Sequence, residues 1–117
     1  MSSADSLSSP TSVMIHLMYG EIFVSPDRVR VLKGDFVGWI VDSNHLEGFE
    51  LEVRFEGKSP FGWHSFRTDV DGKTGFVSAI DPEEVTGDAG SYKYVVLARN
   101  LSGEMIDEND PYIDVTE

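Results

Sequence analysis

The sequence predicts an all-β fold, an antiparallel Greek-key β-sandwich. Period-2 alternation of apolar and polar residues recurs along the chain, while no window sustains apolar residues at i, i+3, i+4 and i+7. The alternating runs are short and separated by turn-forming residues, the pattern of packed hairpins and not of βαβ units.

The runs follow in order. Val13, Ile15, Leu17 and Tyr19 share one face of a first strand, and Val29 and Val31 alternate with Arg28 and Arg30. Val37, Trp39 and Val41 make an inward row, and Leu51, Val53 and Phe55 alternate with Glu50, Glu52 and Arg54. Phe76, Ser78 and Ile80 mark a further strand, then Tyr92, Tyr94, Val96 and Ala98, and Ile113 with Val115 closes the chain. Between them stand Ser25-Pro26-Asp27, Lys33-Gly34-Asp35, Asp42-Ser43-Asn44, Gly57-Lys58-Ser59-Pro60, Asp71-Gly72 and Gly87-Asp88-Ala89-Gly90. Each supplies a fixed φ, a positive φ or a side-chain acceptor for its own backbone. Asp81-Pro82-Glu83-Glu84-Val85 carries the start signals of one short helix, with Asp81 as cap and Pro82 in the first turn.

At 117 residues the chain is one domain, a size that buries about two-thirds of its unfolded surface. Residues 1–12 are rich in serine and proline and read as a disordered tail, with the sandwich over 13–117. That leader has no basic segment followed by an apolar one, so a cytoplasmic location is expected. No run reaches the length of a membrane helix. The absence of cysteine excludes disulfides, thiolate metal sites and a cysteine nucleophile. Asn100-Leu101-Ser102 reads as a chance match to a glycosylation acceptor in such a chain. A net charge of −12 repels phosphate backbones and anionic membranes, which argues against nucleic-acid and membrane partners.

Val29-x-Val31-x-x-Gly34-Asp35-x-Val37-x-Trp39 resembles the segment that opens the core of cupredoxins. Gly90-Ser91-Tyr92-Lys93-Tyr94 is similar to the cupredoxin strand that leads into the copper loop, and Ile113-x-Val115 to the closing strand. The resemblance implies a Greek-key sandwich. It also implies four copper-ligand positions, and here the chain departs from the family. The cysteine position falls at Val96 and the second histidine at Arg99, with His45 near the first histidine and Met105 near the methionine. A guanidinium has no lone pair to give, and without the thiolate a blue-copper centre cannot form. A second family fits the same architecture: Asp88-x-Gly90-x-Tyr92-x-Tyr94 resembles the tyrosine corner of immunoglobulin-like sandwiches, with Trp39 as core tryptophan.

Sites that carry chemistry are sparse. His16, His45 and His64 lack the i, i+2 or i, i+4 spacing that puts two imidazoles on one ion. Met14-x-His16-x-Met18 places soft donors on one strand face, yet its end residues start about 13 Å apart, so that face reads as a second apolar surface packed against a neighbour. Asp69-x-Asp71-Gly72 is a hairpin turn in preference to a calcium loop, whose first and twelfth positions would be Arg67 and Ser78. Asp107-Glu108-Asn109-Asp110 reads as a solvated acidic loop. No nucleophile elbow, phosphate loop or paired-histidine motif occurs, so no enzyme and no catalytic residue is expected. In Pro60-Phe61-Gly62-Trp63-His64-Ser65-Phe66 the alternation breaks. Phe61, Trp63, His64 and Phe66 are the interaction candidates, set against the plainer reading that the aromatics lid the core.

The expectation is therefore a non-catalytic, cofactor-free binding or assembly module, with a protein partner or a homo-oligomer. The alternative is a divergent soft-metal (copper) binding protein using His45 with Met105, or the Met14, His16 and Met18 face.

Overall fold

The computed structural model describes residues 11–71 and 76–117, with the backbone alone over 76–81. The described residues form ten strands: β1 (Thr11–Met18), β2 (Glu21–Ser25), β3 (Arg28–Leu32), β4 (Phe36–Ser43), β5 (Phe49–Phe55), β6 (Ser65–Val70), β7 (Phe76–Glu84), β8 (Gly90–Arg99), β9 (Met105–Asn109) and β10 (Tyr112–Thr116). One sheet has the order β2-β1-β4-β7 and the other β3-β10-β8-β5-β6, with β9 also paired to β8. The all-β sandwich is present. Each sheet also contains one parallel pair, β1 with β4 and β3 with β10, which alternation does not reveal. The reason is in the connections. The chain leaves the first sheet after β2, runs through the second as β3 and returns as β4, a crossover long enough to bring β4 back parallel to β1.

The core lies between the sheets and follows the predicted rows. Val13, Ile15 and Leu17 of β1, Val37, Trp39 and Val41 of β4, Leu51, Val53 and Phe55 of β5, and Tyr94, Val96 and Ala98 of β8 are all buried. Burying each large apolar side chain contributes about 1.5–3 kcal/mol before chain entropy is subtracted. Trp39 joins the layers: its indole Nε1–H donates to Tyr94 Oη across 3.3 Å, and the two rings meet edge-on with centroids 5.9 Å apart. Burial pushes the Tyr94 phenol pKa up, so the hydroxyl stays neutral as the acceptor.

Several expectations are corrected. β1 starts at Thr11, ahead of the expected boundary at Val13, because Thr11 and Ser12 pair with Val37 and Gly38. Tyr19 is not in the inward row: it is 91% exposed and turns the chain with φ at 53°. The helix expected at Pro82 is strand, since β7 pairs through Glu83 and Glu84 with Val37 and Phe36. Pro82 falls at the register shift between Val37 and Trp39, where its missing N–H costs no ladder bond. The turn at Asp71-Gly72 and residues 1–10 of the expected tail lie at or beyond the limits of the described residues.

The acidic segment near the C-terminus is not a loop. Residues 105–109 form β9, which shares one flank of β8 with β10, the two being separated by Asp110 and Pro111. The Tyr94 N–H donates to the Pro111 carbonyl at this break. From β9, Asp107 Oδ2 accepts the Ile22 N–H at 2.8 Å and the Asn109 amide donates to the Ile22 carbonyl at 3.1 Å. Side chains of one sheet thus occupy the outer backbone groups of the other sheet's edge strand. The turn before β9 is organised by Asn100, whose Oδ1 accepts the N–H groups of Ser102 and Glu104.

At the other flank, Arg28 grips Asp114 with two hydrogen bonds, 2.6 Å from Nε and 3.1 Å from Nη2, and the Ser91 hydroxyl adds a third. The guanidinium also lies 4.5 Å over the Tyr112 ring. The Arg28 and Ser91 donors hold the Asp114 carboxyl below the usual carboxylate range.

Replacing Tyr94→Phe strands the Trp39 N–H in the core. Urea unfolding should show a loss of about 1–3 kcal/mol with the slope unchanged. The Asp114 carboxyl titrates lower in the folded state than in the unfolded one. Its contribution is therefore complete above the unfolded value of about 3.9 and fades as pH falls through the folded value. In Asp114→Asn that acid-side slope should flatten; an unchanged profile would show that Asp114 does not contribute to it.

Candidate functional site

The positions matched to copper ligands do not form a site. Val96 is wholly buried, facing the core from β8 between Val53 and Asn109 of the neighbouring strands. Arg99 stands three positions on, an odd interval, so in a strand it faces the opposite side. There its Nη1 donates to Glu52 Oε1 at 2.9 Å and to Glu50 Oε1 at 3.4 Å. One ion cannot reach both positions while β8 stays regular. Met105 is exposed on β9 beside Arg99, and His45 packs edge-on against Phe49 with ring centroids 5.6 Å apart. Among the described residues no three His, Asp or Glu side chains are grouped as a metal site requires. Without a thiolate, and with the key positions on opposite faces, these residues do not fit a blue-copper ion. The His45 Nε2 is nevertheless buried with no hydrogen-bond partner among the described residues.

The aromatic candidates are placed mostly inward. Phe61 is buried, packing edge-on against Trp39, and Trp63 stacks on it with centroids 5.2 Å apart and planes 11° from parallel. The Trp63 N–H donates to Glu83 Oε1 at 3.1 Å, tying the segment to β7. Phe66 is half-buried at the start of β6. Of the four, only His64 is exposed, its Nε2 on the Gly57 carbonyl. Gly87 closes this end: a Cβ there would lie 2.8 Å from Pro60 Cα and 2.9 Å from Tyr92 Oη. That closeness lets the Tyr92 hydroxyl donate to the Asp88 carbonyl at 2.6 Å, the bond of a tyrosine corner. A cleft of about 660 Å³ opens beside it, where Glu56, Lys58, Asp88 and Lys93 mix both signs of charge.

The outer face of the β5-bearing sheet holds a network with no sequence signal. Glu52 is 2% exposed and has guanidinium nitrogens of three arginines around it, Arg99 at 2.9 Å and Arg54 and Arg67 at 3.6 Å. Pairing offsets the cost of burying its charge, as burial of a carboxylate demands. Val95 and Leu97 are also buried, yet outside the inter-sheet core.

The four-stranded sheet's outer face is different in kind. The half-buried Met14, His16 and Met18 of β1 project away from the core, beside Ile40 and Asp42 of β4 and Phe23 of β2. Phe23 is 52% exposed. His16 Nδ1 lies 3.4 Å from Asp42 Oδ2, so the imidazole is directed at a carboxylate, with the thioethers on either side along the strand.

No family model and no curated protein matches the chain. Solved structures similar to it include cupredoxins. Auracyanin A, a "blue" copper protein from the green thermophilic photosynthetic bacterium Chloroflexus aurantiacus, is 10% identical with a TM-score of 0.45, over 92% of this chain and 100% of that one. An oxidised variant of amicyanin is 11% identical with a TM-score of 0.41, over 90% and 82%. A chain from a heme–copper terminal oxidase dimer is 12% identical with a TM-score of 0.46; this chain is covered over 92% of its length and spans 66% of that one. This chain, unlike a blue-copper centre, has no cysteine to offer. The sandwich itself stands on the strand pairing and the core.

The opposed facing of positions 96 and 99 is open to test. A Val96→Cys/Arg99→His double variant loaded with Cu(II) should lack the intense thiolate-to-copper absorption of a blue site. Appearance of that band would show that β8 unwinds to gather the ligands.

Proposed function

We propose that this chain is a non-catalytic β-sandwich binding module that works through the outer face of its four-stranded sheet. The observation that carries the reading is that Met14, Met18, Phe23 and Ile40 share the outer face of this sheet around His16, with no further strand among the described residues laid over it. Contiguous apolar surface of this kind marks interaction sites in soluble proteins. Methionine suits it, because an unbranched thioether adapts to the shape set against it. The aromatic segment at 61–66 takes the supporting role of sealing one end of the core, as its edge-on packing against Trp39 and its bond to Glu83 indicate.

A photoreactive amino acid in place of Phe23 or Ile40 should give a cross-linked product, to another protein or to a second copy, when the chain is expressed in its own host. The same group at Arg67, on the opposite sheet, should not. Equal labelling from both faces, or none from Phe23 and Ile40, would dispose of the reading.

The second reading is a soft-metal protein centred on His45, favoured by its buried Nε2, which has no partner among the described residues. Incubation with Cu(I), desalting and metal analysis separate the two. Stoichiometric retention lost in His45→Ala supports the metal reading, and no retention removes it.

A further inference from the structure

Cationic side chains are divided between the sheets with complete asymmetry. β3, β5, β6 and β8 carry Arg28, Arg30, Arg54, Arg67, Lys93 and Arg99. The sequences of β1, β2, β4 and β7 contain no lysine and no arginine, but they contain Glu21, Asp42, Asp81, Glu83 and Glu84. Glu83 is engaged by Trp63 and Asp42 faces His16. Glu21 and Glu84 are exposed and have no ion-pair partner among the described residues. The apolar row of Met14, Met18, Phe23 and Ile40 is therefore bordered by carboxylates, with histidine as its one basic group among the described residues.

This pattern discriminates between occupants. A second copy docked face to face would set Glu21, Asp42 and Glu84 against the same acids, in a chain whose net charge is already −12. A second copy docked through its arginine-bearing sheet fares no better. Arg28 is held by Asp114, and Arg54, Arg67 and Arg99 are gathered around Glu52, so a second copy would have to share guanidiniums already engaged while two chains of net charge −12 are brought together. An acidic or anionic-lipid surface is repelled outright. What complements a carboxylate-bordered thioether and phenyl surface is a segment with an apolar stripe flanked by lysine or arginine.

We infer that the outer face of the four-stranded sheet docks a basic amphipathic segment of another protein. Its apolar side chains lie on Met14, Met18, Phe23 and Ile40, and its cationic groups meet Glu21, Asp42 and Glu84. The inference rests on the binding-module reading above and adds the chemistry of the partner. An amphipathic helix supplies the geometry, with anchors at i, i+3 or i+4 and i+7 along one face. The rim charges set encounter rate and salt dependence, and the apolar anchors set residence time.

The methionines make the test direct. Met14 and Met18 lie on the face, and Met105 lies on β9 among other acids, so it reports attraction by bulk charge. The full chain, labelled at its methionine methyl carbons, is titrated by NMR with a leucine/lysine amphipathic peptide of about five helical turns. A leucine/glutamate peptide of the same length is the comparison. The lysine peptide should shift Met14 and Met18 saturably while leaving Met105 in place, and added salt should weaken it. Phe23→Lys and Glu84→Lys, both at exposed positions, should each reduce affinity by about tenfold with the circular dichroism spectrum unchanged.

A glutamate peptide that moves Met14 and Met18 equally, or movement of those signals on concentrating the protein alone, would overturn the partner chemistry and leave the binding-module reading standing. Equal shifts at Met105 would reduce the effect to bulk charge and overturn the inference. If neither peptide nor concentration moves Met14 and Met18, the inference and the reading beneath it both fail.

Discussion

The contact between Trp39 and Tyr94 is the constraint on which the other packing turns. One residue comes from each sheet, both are wholly buried, and the indole N–H has the phenol oxygen as its partner. Two polar atoms are thereby taken out of water without being left unsatisfied. Around that bond Phe55, Phe61 and Trp63 pack at centroid distances of 5.0 to 6.0 Å from one or other ring. The aromatic segment that interrupts the alternation is therefore drawn inward by the pair, and the end of the sandwich is sealed. The outward faces are left to differ as they do because the interior is already closed by these rings.

Much of the core was legible in the sequence because a strand facing one interior must alternate. Val13, Ile15 and Leu17, the Val37-Trp39-Val41 row and the Leu51-Val53-Phe55 row are all buried as the pattern implied. The pattern fails where a strand has two unlike environments. β2 carries Phe23 outward and Ile22 and Val24 inward, so three apolar residues run together and no alternation is visible. β9 reads as a loop because Asp107 and Asn109 are spent on a neighbouring edge, an arrangement set by tertiary contact. Tyr19 continues the period of β1 in the sequence but sits past its end, in a turn whose φ is positive.

The candidate site was legible in part. The Met14, His16 and Met18 face follows from period 2 alone. That it is flanked by Phe23 and Ile40 needs the register of β1 with β2 and β4, one pairing of which is parallel. The role of Arg99 was hidden altogether. Read against cupredoxins it is a lost ligand, whereas in the fold it is one of three guanidiniums around a buried carboxylate. Nothing local marks Glu52 as buried, since Glu50, Glu52 and Arg54 together read as the solvent side of a strand. A sheet face reads as solvent-facing even when long side chains cover one another across it.

The tie between β9 and β2 bears on how a sheet border is closed to an incoming strand. Border strands in many proteins are guarded by lysine, whose charge deters an incoming chain. The four-stranded sheet has none to offer. At Ile22 both backbone groups are already occupied by Asp107 and Asn109, so a visiting strand finds its ladder interrupted near the start of β2. A carboxylate and an amide borrowed from the opposite layer thus act as the gatekeepers of this border.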